Sequence, residues 1–363
     1  MNDMKKIISL ILAVCMLLSF ASCQDKTNGE DGTKEYKVRS QTVSTVHFNT
    51  YSSISTYKDD SDENIKNYVK IADELLGYYH KLFDIYYEYS GLNNLCTVNK
   101  NAGKSPVKVD DELIVFLEYC KELYTITNGK TNVMLGSVLK LWHDCREEAN
   151  ENFGFLPSTS HLPTQEDLTD AAAHTDINSL VIDKEAGTVY ICDPDAAIDV
   201  GAIAKGYTVD ILYERIKATG ADSVALNIGG NIRTIGLKPN GDAWITGLTN
   251  PDKSSDDSLI CRVEIGSTSM VTSGDYERFF YAGDKKYHHI IDPVTLVPAA
   301  HFSSVTIITE NSGLADALST ALFCMTYKEG LELVSSIGGI EVIWIDLDYK
   351  MKTTDGVTVL PIK

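Results

Sequence analysis

The chain has 363 residues, 44% of them hydrophobic, and a formal charge of −19. That balance excludes a broad nucleic-acid or anionic-lipid surface, which needs clustered Lys and Arg, so any phosphate ligand must be met by a local cation. After the N-terminal segments enough chain remains for one large domain with its own core.

Lys5 and Lys6 precede an apolar stretch from Ile7 to Phe20, shorter than a comfortable membrane span and of the length of a signal-peptide core. It ends in Phe20-Ala-Ser-Cys23, small residues ahead of a cysteine, the pattern of a bacterial lipobox. Residues 1–22 therefore read as a lipoprotein signal peptide, with Cys23 lipidated and becoming the mature N-terminus; an ordinary secretory signal with an incidental cysteine is the alternative. Residues 23–41 are polar and charged, with little apolar surface to bury, and read as a flexible tether. The folded domain is expected over residues 42–363, at the cell membrane through its anchor and facing outside the cytoplasm. Six further cysteines, Cys96, Cys120, Cys145, Cys192, Cys261 and Cys324, form no CxxC pair and read as free thiols.

Ile65, Val69, Ala72, Leu76, Tyr79 and Phe83 share one helical face, which predicts a helix from Ser61 to about Tyr89 with acidic residues at its positive end. A second helix is expected from Asp110 to Thr127, stopped by Asn128-Gly129. A polar, proline-containing region follows through residue 175. Leu180-Val-Ile182 and Val189-Tyr-Ile191 flank a turn and read as a hairpin, and Ala204 to Thr219 as a helix. Short strands are expected at 223–228, 243–248, 259–264, 268–272, 278–282 and 304–309. Helices near 313–326 and 328–337 then precede closing strands at 341–346 and 357–362. Helices first, then strands with interspersed helices, give an α+β class rather than a regularly alternating doubly wound sheet.

Four segments carry chemistry. In Asp199-Val-Gly-Ala-Ile-Ala-Lys-Gly, Gly201 lets backbone approach a ligand, the next amides open a helix, and Lys205 can meet a phosphate; a plain strand-to-helix turn explains the same residues. Asn227-Ile-Gly-Gly-Asn231 places Gly229 and Gly230 where backbone could lie against a flat ring, or where a tight β-turn is needed. Asp316 and Thr320 share one helix face and offer hard oxygens suited to Mg²⁺, although an Asp near a helix start is also stabilised by the dipole. His288 and His289 precede Ile-Ile-Asp292-Pro293, and on a strand their rings point to opposite faces, so at most one faces a site.

Together with Ser273-Gly-Asp-Tyr276, these segments resemble, in the same order, the ApbE family, the FAD:protein FMN transferases, over roughly residues 45 to 360. Upstream, Phe48-Asn-Thr50 stands where that family tends to have Met-Gly-Thr, Ser90-Gly-Leu-Asn-Asn resembles a stretch ending in Leu-Asn, and Asn128-Gly-Lys-Thr-Asn132 replaces Gly-Ala-Phe-Asp. The resemblance implies a single large α+β domain, a T-fold-like mixed sheet with packed helices. It implies an enzyme that uses Mg²⁺ and takes FAD as substrate, moving the FMN moiety to a Thr or Ser hydroxyl of an acceptor protein and releasing AMP. The backbone carbonyl of Ala202, Asp316 and Thr320 match the metal ligands. Asp199, Lys205, Gly229, Gly230 and His289 belong to the FAD pocket, and His289 and Asp316 are the catalytic candidates, His289 as general base. Acceptors are expected among exported proteins or subunits of membrane electron-transfer complexes. An FAD pyrophosphatase with the same metal site, and a non-catalytic FAD-binding lipoprotein, are the alternative activities.

Overall fold

The computed structural model describes residues 38–43, 47–57 and 60–362; the signal peptide, Cys23 and most of the tether lie outside them. The first strand, β1 (Val38–Thr42), pairs antiparallel with β2 (Ser52–Tyr57), so the sheet already begins within the stretch read as tether.

Helix α1 (Asp62–Leu82) starts where Ser61 accepts the Asn64 amide and carries Asp62 and Glu63 in its first turn, as the pattern predicts. It stops at Leu82, short of the expected Tyr89, because Asp84 draws the following segment into a turn: its carboxylate accepts the amides of Tyr86 and Tyr87 and the Tyr89 hydroxyl. Helix α2 (Leu95–Lys100) is capped by the buried Asn94 of the Leu-Asn-Asn motif. Strand β3 (Val107–Lys108) leads to α3 (Asp111–Ile126), which ends on Asn128 and Gly129, both at positive φ.

The region read only as polar and proline-containing holds two helices, α4 (Gly136–Glu151) and α5 (Gln165–Ala172), the second opened by a Thr164/Asp167 capping box. Strands β4 (Leu180–Asp183) and β5 (Thr188–Ile191) form the expected hairpin and, with β3, a small sheet. Helix α6 (Ala204–Lys217) is followed by β6 (Val224–Ile228), β7 (Asn231–Ile235), β8 (Trp244–Thr249), β9 (Leu259–Ile265), β10 (Ser269–Gly274), β11 (Phe279–Ala282), β12 (Lys285–His288) and β13 (Phe302–Thr309). Helices α7 (Ser312–Phe323) and α8 (Tyr327–Ile337) precede β14 (Glu341–Asp346), β15 (Met351–Thr353) and β16 (Val359–Leu360).

The main sheet runs β1-β2-β6-β7-β10-β13-β14-β15. Every named strand pairing is antiparallel, so within the α+β class the expected mixed sheet is an antiparallel one. Alternation assigns its faces. In β6, Val224, Leu226 and Ile228 meet α1 and α6, while Ala225 turns to the other face. In β14, Val342 and Trp344 lie under α7 and α8, and Ile343 and Ile345 face β8 and β9. The small sheet β16-β9-β8 thus covers the back of the main sheet. Helix α7 sits between layers: Ala317 joins the core of the N-terminal helices, and Leu318, Ala321 and Leu322 join the sheet-side core. Helices α4 and α5 close a separate cluster over β11 and β12 through Val138, Trp142, Cys145, Leu168 and Phe280. The six cysteines within the described residues are free, and all but Cys192 are buried.

Candidate active site

Helices α6 and α7 each supply an acid to the start of the other. From α6, Asp210 accepts the amides of Ser312 and Gly313, at 2.9 and 2.8 Å, opening α7 alongside the Asn311 cap. From α7, Asp316, only 5% exposed, accepts the Gly206 amide of α6 at 2.8 Å. The approach requires a glycine: a Cβ on Gly206 would lie 2.2 Å from the Ser312 carbonyl oxygen and 2.8 Å from Asp316 Cβ.

This diversion frees a backbone oxygen. In a regular helix the Gly206 amide would donate to the carbonyl of Ala202, four residues back; here it donates to Asp316, and among the described residues no hydrogen bond reaches the Ala202 carbonyl. The preceding turn is held by Asp199, whose Oδ1 accepts the Gly201 amide at 2.8 Å. Thr320 lies one turn beyond Asp316 on the same helix face and is half-buried. Ala202 carbonyl, Asp316 carboxylate and Thr320 hydroxyl are all hard oxygen donors, the first without a partner, which fits Mg²⁺ in chemistry and in unmet demand. Lys205 places its ammonium 2.9 Å from Asn231 Oδ1 and 3.4 Å from Asp316 Oδ1, the local cation that an acidic chain needs for a phosphate.

Gly229 and Gly230 form the two-residue turn of the β6–β7 hairpin, with Ile228 opposite Asn231 and φ of 57° and 89°. Positive φ at both positions is what a type I′ turn requires. Of the two readings left open, the turn is built. It still serves the site, because it delivers Asn231 to Lys205, and a Cβ on Gly229 would lie 2.2 Å from Thr50 Oγ1, so Thr50 packs directly against the turn. Asn49 carries φ of 51°, a left-handed conformation that Asn tolerates, which accounts for Asn where the family tends to have Gly.

The two histidines differ in their surroundings, but strand alternation is not the reason, because β12 ends at His288 and His289 lies just beyond it. His288 is buried, donates from Nε2 to the Ala299 carbonyl at 2.8 Å and accepts the Ile290 amide on Nδ1, a structural assignment. His289 is half-buried, ties its amide to the Arg278 carbonyl at 3.0 Å, and has a buried Nδ1 without a partner. Burial, then the charge of Arg278, with His288 and Arg146 adding to it, holds its pKa well below the usual imidazole value. Nearby on α4, Arg146 donates to His143 Nδ1 at 2.7 Å, and the Tyr86 ring lies 5.2 Å from that of His143. The Asp199 carboxylate bears electrostatically on Tyr86, His143 and Arg146, so the His289 wall and the Asp199 turn share one neighbourhood.

Sequence reasoning passed over Asn231, Asp210, Arg146 and Arg278. Asn231 lay inside a quoted motif, and Asp210 sits on α6 at the spacing of an inward-facing residue. Elsewhere, Lys130 pairs with Asp292 at 3.0 Å, which makes the Ile-Ile-Asp-Pro segment a braced turn. His174, Asp193 and the exposed Asp195 cluster separately, with His174 Nδ1 2.8 Å from Asp193 Oδ2 and the Asp195 amide folded back on Asp193.

Known proteins share this fold and much of this sequence. The model of the ApbE family matches residues 48–344. A Haemophilus influenzae protein named FAD:protein FMN transferase is 29% identical over 336 residues, covering 91% of this chain and 90% of its own length. One of the same name from Treponema pallidum is 32% identical over 280 residues, 72% of this chain and 73% of its own. Among solved structures, the ApbE protein of Thermotoga maritima superposes with a TM-score of 0.72 at 26% identity, covering 88% of this chain and 97% of its own. The flavin transferase ApbE of Vibrio cholerae gives 0.70 at 25% identity, with the same coverage.

Proposed function

The chain belongs to the ApbE family, and from that premise we propose that it is an FAD:protein FMN transferase that uses Mg²⁺, moves the FMN moiety of FAD to a Thr or Ser hydroxyl of an acceptor protein, and releases AMP. The observation that carries the reading is the crossed pair of helix starts. Asp316 takes the Gly206 amide, leaves the Ala202 carbonyl unpartnered and holds Lys205 beside it. The relatives' shared name, FAD:protein FMN transferase, supplies the substrate pair.

Ala202, Asp316 and Thr320 would hold the Mg²⁺, which when bound supplies Lewis-acid neutralisation of pyrophosphate oxygens. Lys205 adds a point charge for the same oxygens, and Asp199 shapes the turn that presents the α6 amides. His289 takes the proton of the acceptor hydroxyl. Its imidazole is kept neutral by burial and by Arg278 and Arg146, so it is free to accept a proton at neutral pH. The acceptor oxygen then forms a bond to the flavin-side phosphorus, the pyrophosphate P–O bond breaks, and AMP leaves with that electron pair. Of the turn glycines proposed to meet the flavin, Gly230 presents bare backbone with nothing near its Cβ side, while the Cβ side of Gly229 is covered by Thr50.

The protein is read as lipid-anchored through Cys23 outside the cytoplasm, with exported proteins or subunits of membrane electron-transfer complexes as acceptors. The deciding experiment incubates the purified protein with FAD, Mg²⁺ and a flavin-acceptor domain and looks for flavin fluorescence on the acceptor after denaturing electrophoresis. A fluorescent acceptor band that chelator abolishes supports the transferase. Free FMN and AMP without any labelled acceptor would replace it by the pyrophosphatase, and intact FAD that copurifies by a carrier.

A further inference from the structure

Beside His289 the acidic chain gathers two arginines, one paired with a carboxylate only at 3.9 Å and the other, among the described residues, with none. Arg146 is half-buried on α4, which packs against β11. Its guanidinium donates to His143 Nδ1 at 2.7 Å, and its nearest carboxylate, Glu147 Oε1, stands at 3.9 Å. Arg278 lies just ahead of β11, and its carbonyl takes the His289 amide at 3.0 Å, while among the described residues its exposed guanidinium makes no hydrogen bond or ion pair. Both arginines bear electrostatically on His289, whose buried Nδ1 has no partner. A half-buried arginine whose one carboxylate partner stands at 3.9 Å, destabilised as a charge by burial and then by a second arginine, and an orphan ring nitrogen together suit an anion.

We propose that Arg146 and Arg278 form a clamp for the phosphate of the FMN moiety, holding it beside His289. The inference rests on the flavin-transferase reading and adds to it a phosphate site separate from Lys205 and the Asp316 corner. Arginine suits the task, since its planar fork meets two phosphate oxygens at once where lysine offers a point charge. The Asp199 carboxylate, near enough to Arg146 to bear on it, links the clamp to the turn that carries Ala202. A phosphate held there stands next to the proton acceptor, the proximity a displacement at phosphorus needs. The phosphate also offsets the positive field at His289, raising its proton affinity once the substrate is in place.

Flavin fluorescence quenching tests this without turnover. Riboflavin, which has no phosphate, and FMN, which has one, are titrated into the purified protein in the presence of chelator, so that no metal contributes to the preference. Wild-type protein binds FMN more tightly than riboflavin. Arg146→Met and Arg278→Met each weaken FMN about tenfold and leave riboflavin unchanged, and Arg146→Lys restores part of the loss. An FMN preference that survives both substitutions overturns the clamp. If Arg146→Met weakens both ligands alike, its role is structural, and Arg278→Met, at an exposed guanidinium, then decides: an unchanged preference there overturns the proposal. A wild-type protein that binds neither flavin would sink the flavin reading and the clamp together, an outcome distinct from a clamp that fails alone.

Discussion

The carboxylate of Asp316 accepts the backbone amide of Gly206 at 2.8 Å, and the two residues are 110 positions apart in the chain. That one bond closes the first turn of α6 onto α7 instead of onto Ala202. Replacing Asp316 by Ala removes a buried acceptor, a proposed metal donor and the counter-charge of Lys205 together. We expect FMN transfer to fall at least about 10²-fold. Stability should drop by about 1–3 kcal/mol through the stranded amide, read from urea denaturation in the absence of metal.

Gly206→Ala tests the geometry without touching the donors. The added methyl would meet the Ser312 carbonyl oxygen at 2.2 Å, so the helices must part. Overpacking of this kind costs about 1–3 kcal/mol. Mg²⁺ affinity, measured by calorimetry, should fall although every proposed ligand is still present. Unchanged affinity would mean that the helix spacing does not set the metal corner.

His289→Asn should lower transfer by about 10² to 10⁴-fold while FAD still binds. The pH profile carries a sign. Because burial and the arginines hold the wild-type imidazole well below its ordinary range, kcat/KM stays level as pH falls from 7 through about 6.5, the ordinary imidazole pKa. An activity loss centred on that ordinary value would contradict a depressed base.

Asp210 supplies a stability signature. Burial raises its pKa from 3.8 to about 6, outweighing the Gly313 and Ser312 amides that favour the charge. The folded state therefore holds this proton more tightly than the unfolded chain. Its contribution is fully present below pH 3.8 and is lost as pH rises through about 6. Asp210→Asn should remove that decline, so urea midpoints of the variant relative to wild type should improve from pH 4.5 to pH 7. A pH-independent difference would show that Asp210 does not titrate in this window.

Cys23→Ser should move the protein from the membrane fraction to the soluble one after fractionation of expressing cells. Retention in the membrane fraction would discard the lipid anchor.

Much of this architecture is written locally. Ser61 as a cap, Asn128-Gly129 as a stop, the 180–191 hairpin and the helices after Ala204 and Ser312 follow from capping, φ demands and periodicity within single segments. Helix α4 was legible too, since its buried Val138, Trp142, Cys145 and Ala149 keep helical spacing, but the charged Arg146-Glu-Glu148 face dominates the composition there. Strand β7 was hidden for another reason. All five of its residues are buried, Asn231, Arg233 and Thr234 among them, so no polar-apolar alternation marks it. The site followed the same rule. Asp199, Lys205, Asp316 and His289 sit in compact motifs that can be read along the chain, whereas Arg146 comes into the neighbourhood of His289 only when α4 folds over β11.

The reciprocal bonds of Asp210 and Asp316 span 102, 103 and 110 residues. Loop closure over such lengths precedes any reward from the contact, and neither helix start is complete while the other is missing. A chain still emerging or half folded, with α6 formed and α7 absent, has no oxygen corner to load. Under the proposed function, loading of that corner would therefore belong to the last stage of maturation, and a nascent or misfolded copy is expected to be inert toward flavin rather than partly active.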